Sequence, residues 1–152
     1  MNDQGADGRA STTKRLFRRQ TAISIDIAAP AARIWGLLTD AGRFTEWNTT
    51  ILELTGRIAP GEKISIRSTL APKRTFKLKV KDFEPTTRLS WGDAMGTRVY
   101  SLAPNPQGGT RFSMSEKIGG PLFPLFARMI PPFDESFNQF AADLKRAAEQ
   151  SA

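Results

Sequence analysis

Arg98, Tyr100 and Glu116 are the side chains whose types and spacing are best suited to chemistry in this chain. They lie in RVYSLAPNPQGGTRFSMSEKIGG (Arg98–Gly120), two alternating runs separated by the turn formers Pro104, Asn105, Pro106, Gly108 and Gly109. Tyr100, Leu102, Phe112 and Met114 share one parity. A hairpin that pairs Leu102 with Phe112 and Tyr100 with Met114 sets Arg98 opposite Glu116, two charges aimed inward where the pattern calls for hydrophobes. Burying such a pair is costly unless it is fully hydrogen-bonded or faces a partly wet cavity that holds a polar ligand group. The pattern therefore predicts a hollow fold.

Glu116 is the one credible general acid or base. Burial raises a carboxyl pKa and a neighbouring guanidinium lowers it. Where Arg98 dominates, the carboxylate stays charged and serves as a hydrogen-bond acceptor. Asp26 has outward parity and Asp82 lies near a strand end, so neither makes a convincing partner. No residue is assigned a catalytic role on these grounds; an enzyme built on this chain would use Glu116, Tyr100 and Arg98.

Composition narrows the chemistry further. The 152 residues include no histidine and no cysteine. That excludes a Ser-His-Asp triad, a Cys-His dyad, Cys/His zinc sites and disulfides, and leaves proton transfer to Asp, Glu, Lys or Tyr. No cofactor and no metal are expected. The length suits one domain.

The formal charge is +7, and its distribution decides its meaning. Arg9, Lys14, Arg15, Arg18 and Arg19, against Asp3 and Asp7, lie in the first 22 residues. Lys63, Arg67, Lys77, Lys79 and Lys81 belong to a solvent face without interleaved aromatics, so nucleic acid is not an expected partner. No window approaches the ~18 apolar residues of a membrane span, and no signal peptide is visible; a cytoplasmic protein is expected. Residues 1–20, small, polar and charged, read as a disordered basic arm ahead of a domain spanning 21–150. Its KRLFRR segment offers at most weak contact with a membrane surface.

The elements that must position the pair follow in order. Ile23, Ile25 and Ile27 alternate in a first strand; Pro30 opens a helix carrying Ile34, Trp35, Leu37 and Leu38; Asp40 suits the N-cap of a second short helix through Phe44 and Trp47. Strands are expected over about 51–58, 62–70, 74–84, 88–93, 96–103 and 110–118, punctuated by Gly and Pro as in an antiparallel meander. Phe133, Phe137, Phe140, Ala141, Leu144 and Ala148 then recur at helical spacing. This is an α+β arrangement in which a bent antiparallel sheet of about seven strands, with two short helices after the first, grips one long C-terminal helix.

The segments ISIDIAAPAARIWGLLTDAGRFTEWN (Ile23–Asn48), LTGRIAPGEKISI (Leu54–Ile66), RLSW (Arg88–Trp91) and GGTRFSMSEKIGGPL (Gly108–Leu122) resemble the polyketide cyclase/dehydrase and START-like superfamily (Bet v 1-like, SRPBCC), over about residues 21–149. The resemblance implies a helix-grip fold with a cavity between sheet and long helix; fold alone assigns no chemistry. Relatives often carry histidine where Arg98 and Met114 stand here, so a histidine-based ring-closing step does not carry over. The long helix of relatives would be interrupted at Pro131-Pro132, leaving Pro121–Ile130 as a separate apolar segment over the cavity mouth.

The expected ligand-binding set is Arg98, Tyr100 and Glu116 with apolar walls from Ile66, Phe76, Leu78, Leu89, Trp91, Leu102, Phe112, Met114 and Phe126, a mix characteristic of small-molecule sites. Trp35 and Trp47 read as packing residues. Three functions fit: a carrier or sensor for a small, largely apolar ligand (lipid-, polyketide- or aromatic-like); a polyketide cyclase or dehydratase; and a co-chaperone-like interaction module using the segment around Phe123 and Phe126. The first is preferred, with a small hydrophobic molecule as the partner.

Overall fold

Turn residues and strand alternation divide the chain much as the sequence suggests. The computed structural model describes residues 8–150. Eight strands form one antiparallel sheet in the order β1-β2-β8-β7-β6-β5-β4-β3. They are β1 (Ser11–Lys14), β2 (Arg18–Ile27), β3 (Ile51–Gly56), β4 (Lys63–Ser68), β5 (Phe76–Glu84), β6 (Arg88–Gly92), β7 (Gly96–Pro104) and β8 (Thr110–Gly119). Helices α1 (Ala31–Thr39) and α2 (Phe44–Trp47), joined by a 3-10 turn over Ala41–Arg43, separate β2 from β3. A short α3 (Phe123–Phe126) precedes the long α4 (Asp134–Gln150). This is the expected α+β helix grip, with one more strand.

The extra strand corrects the reading of the N-terminal arm. Residues 11–14 pair with Arg19–Ala22 and β2 begins at Arg18, so the expected disorder through residue 20 and the boundary at Thr21 do not hold; residues 1–7 lie outside the described residues. A low-hydrophobicity segment gains order here because its backbone groups complete an open sheet edge. Thr12 also bonds across the edge, to Thr21 Oγ1 at 2.9 Å and to the Asp134 carboxylate at the start of α4.

The β7–β8 hairpin has the predicted register: Leu102 opposes Phe112, Tyr100 opposes Met114, and Arg98 opposes Glu116. Asn105 closes its turn, the side-chain oxygen accepting from the backbone N–H groups of Gln107 and Gly109. The chain between α3 and α4 is irregular through Pro131 and Pro132, the break expected from two residues without N–H groups.

Helix α4 lies on the inner face of the sheet. Phe140 stacks on Tyr100 at 5.4 Å between centroids, and Tyr100 meets Trp91 at 5.1 Å and Phe112 at 6.2 Å. Leu89, Tyr100, Phe112, Met114, Phe137, Phe140 and Leu144 are essentially inaccessible, so this half of the interior is solid. Trp35 packs edge-on against Phe83, and Trp47 against Phe44 and Phe140, as packing residues do.

Asp143 anchors the helix. Its enclosed carboxylate accepts from Thr49 N (2.8 Å), Thr49 Oγ1 (2.7 Å), Gln139 Nε2 (2.8 Å) and Arg146 Nη2 (3.0 Å). Burial pushes its carboxyl pKa up, but the Thr49 and Gln139 hydrogen bonds and the Arg146 charge outweigh it and hold the pKa below the ordinary value.

Candidate functional site

A cleft of about 320 Å³ lies between the inner face of the sheet and the segment around the proline break. Ile51, Ile66, Phe76, Leu78, Trp91 and Ile118 supply apolar walls from the strands. Met129, Ile130, Pro131 and Phe133 close it from the segment before α4, and Arg98 and Glu116 are its inward charges. Gly92 also lines it. A Cβ at that position would come within 2.2 Å of the Gly96 carbonyl, so glycine is required where the β6–β7 hairpin folds back on itself.

Arg98 Nε donates to Glu116 Oε1 at 2.7 Å, with 14% and 18% of the respective side-chain surfaces exposed. The guanidinium also lies 5.1 Å from the Phe137 ring centroid. Burial works against its charge, but the Glu116 carboxylate and the neighbouring Tyr100 oxygen outweigh that cost, and the Arg98 pKa is raised. Arginine carries five N–H donors. The Nε of Arg98 is committed to Glu116 and the Tyr100 hydroxyl lies against the guanidinium, which leaves further N–H donors for a guest.

Tyr100 sits beneath this pair rather than in the cleft. Its hydroxyl is buried, faces Arg98, and makes no regular hydrogen bond. Burial pushes its pKa up to about 12, with Arg98 partly opposing the shift. The phenol is therefore neutral at ordinary pH.

Of the expected ligand-binding set, the structure brings Arg98, Glu116, Ile66, Phe76, Leu78 and Trp91 to the cleft. Tyr100, Leu89, Leu102, Phe112 and Met114 have the inward parity expected of them but are core residues, Tyr100 lying directly against Phe140 of α4. The expected cavity is thus solid over Tyr100 and open at the end bordered by Arg98 and Glu116. Phe126 is exposed on α3 and does not line the cleft. Asp26 pairs with Arg111 on the outside, and Asp82 with Arg88 and Ser90, both away from the cleft.

Sequence reasoning missed Arg19. It is buried, donates to the carbonyls of Ile130 (3.2 Å) and Pro131 (2.9 Å), and lies 5.2 Å from the Phe133 ring centroid, pinning the segment that closes the cleft. Burial lowers its pKa, with Glu116 and Asp134 opposing. Its parity with Thr21 and Ile23 was the available signal.

A larger depression of about 500 Å³, lined by residues including Arg33, Asp40, Arg43 and Glu46, lies beside α1 and α2. Arg43 and Glu46 there are largely exposed and paired with each other, so it is a solvated surface groove. The cleft at Arg98 is the better candidate.

Comparison with known proteins bears on this geometry. Three similar solved structures are EF2215 from Enterococcus faecalis (14% identity, 94% of this chain and 80% of that one, TM-score 0.67), MLL2253 from Mesorhizobium loti (20%, 88% and 99%, 0.65) and a START superfamily protein from Mycobacterium smegmatis (15%, 86% and 97%, 0.63). At these identities the likeness speaks to the fold alone. No curated protein sequence matches the chain. The polyketide cyclase / dehydrase and lipid transport family matches residues 18–149, from the first residue of β2 almost to the end of α4, and the chain belongs to that family.

Proposed function

We propose that this protein is a cytoplasmic carrier or sensor that binds a small, largely apolar molecule with an acidic or hydrogen-bond-accepting head, without turning it over. One observation carries the reading: a mostly buried guanidinium, held at Nε by Glu116 and lying against the Tyr100 hydroxyl, borders an apolar cleft with N–H donors to spare. A carboxylate or carbonyl on the ligand would accept from those donors, and its apolar body would lie along Ile66, Phe76, Leu78 and Trp91. Family membership supports ligand binding in general terms and equally admits cyclase chemistry. Binding is favoured because the phenol of Tyr100 lies outside the cleft lining and holds its proton up to about pH 12, while Glu116 accepts a hydrogen bond from Arg98.

Native mass spectrometry of the protein purified from its own host tests this. The expected result is a bound small molecule that is released unchanged on denaturation. A turned-over product released from an added polyketide-like substrate would favour the enzyme reading. A mass equal to the bare chain, together with no calorimetric response to fatty-acid or aromatic-acid probes, would overturn the binding reading.

A further inference from the structure

Among the described residues, the exposed large apolar side chains are not scattered. All but Leu52 belong to three segments: Leu16 and Phe17 in the β1–β2 turn, Met95 in the β6–β7 turn, and Leu122, Leu125, Phe126 and Met129 between β8 and α4. The fold ties these segments together. Gly120 N donates to Phe17 O at 3.0 Å, Gly119 N donates to Met95 O at 2.9 Å, and Met95 and Met129 both line the cleft. They therefore form one apolar rim around the cleft mouth, of the kind soluble domains bury or use.

The charge around this rim has one dominant sign. Lys14, Arg15 and Arg18 flank Leu16 and Phe17, and Arg128 precedes Met129; all four are exposed. Among the described residues none of the four pairs with a carboxylate. In the β6–β7 turn, the Asp93 carboxylate accepts from the backbone N–H groups of Met95 and Gly96. Protruding apolar side chains interspersed with unpaired cations match an interface of anionic headgroups over acyl chains. A protein partner of matching shape would need its own acidic frame around three separate loops.

The geometry points to this rim as a docking surface for an anionic lipid bilayer, seated so that the cleft mouth faces the membrane. The orientation builds on the cleft-binding reading: an apolar guest would pass between bilayer and cleft without crossing water. Surface attachment itself requires no guest.

Vesicle flotation of the full chain, stripped of bound small molecules, tests the proposal with phosphatidylcholine vesicles and with phosphatidylcholine–phosphatidylserine vesicles. Recovery is expected with the anionic vesicles, is expected to fall with added salt, and should be at least tenfold lower for the Lys14→Ala, Arg15→Ala, Arg18→Ala, Arg128→Ala variant. Leu16→Ser with Leu125→Ser should also lose binding while melting like the wild type. Should either variant fail to fold, the salt dependence of the wild type remains decisive. No recovery with anionic vesicles, equal recovery with both kinds, or unchanged recovery of both folded variants would overturn it. So would a dimer dissolved by Leu16→Ser and Leu125→Ser without vesicle binding, which assigns the rim to a second copy. Pull-down of a cellular protein that depends on Phe126, again without vesicle binding, would assign it to a protein partner. The Arg98→Met, Glu116→Leu variant should still float. Flotation without any cleft ligand would sink only the cleft reading, and a cleft ligand without flotation only this one.

Discussion

Replacing one member of the Arg98–Glu116 pair should be far worse than replacing both. Arg98→Met leaves the Glu116 carboxylate in the cleft wall with its 2.7 Å partner gone, and Glu116→Leu leaves the guanidinium in the same position. Breaking a buried pair costs about 3–5 kcal/mol. With 14% and 18% of the two side-chain surfaces still reached by solvent, the low end applies, about 3 kcal/mol. For a chain of this size that lowers the melting temperature by about 6–12 °C. The double variant removes both desolvated charges and should return to within about 1 kcal/mol of the wild type, a coupling energy well outside the additivity of independent sites. Calorimetric titration with laurate, an apolar chain with a carboxylate head, then separates stability from binding. Losing a charge-assisted hydrogen bond of about 1.5–3 kcal/mol weakens affinity about 10- to 150-fold in the double variant. A double variant as unstable as the sum of the singles would refute the energetic argument. Wild-type affinity for laurate in a well-folded double variant would remove Arg98 as the anchor.

Tyr100→Phe should leave the melting temperature nearly unchanged, since the buried hydroxyl makes no regular hydrogen bond; a large loss would reveal a bond to Arg98 stronger than the geometry indicates. Deleting residues 1–20 removes β1 and the Arg19 bonds to Ile130 and Pro131, so a clear drop in the thermal midpoint is expected, and an unchanged melt would show that this edge contributes nothing. Because Asp143 has a depressed pKa when folded, its contribution is fully present above the unfolded value near 3.8 and is lost as pH falls below it. Acid titration of Asp143→Asn should therefore show a shallower loss of stability in that window than the wild type, and identical slopes would contradict the assignment.

The hairpin was legible in the sequence because its signals are local. Two alternating runs joined by Asn105 and Gly108–Gly109 determine which residues oppose each other, and therefore that Arg98 meets Glu116 on the inner face. The break at Pro131–Pro132 is equally local, since proline has no N–H to give a helix. Parity, however, tells only which face a side chain takes, and how near the opposite layer comes is a matter of tertiary structure. Phe140 descends onto Tyr100 and turns a predicted cavity wall into core, while the chain around Pro131 forms the far wall of a cleft over Ile66 and Phe76. Arg19 belongs to a segment whose composition reads as disordered, and its order comes from carbonyls more than a hundred residues away. The apolar rim likewise exists only because the sheet brings the turns at Phe17 and Met95 to the end of β8. Local alternation and turn chemistry act over a few residues and so can be read from the chain; the separation between layers is set by the packing of the whole.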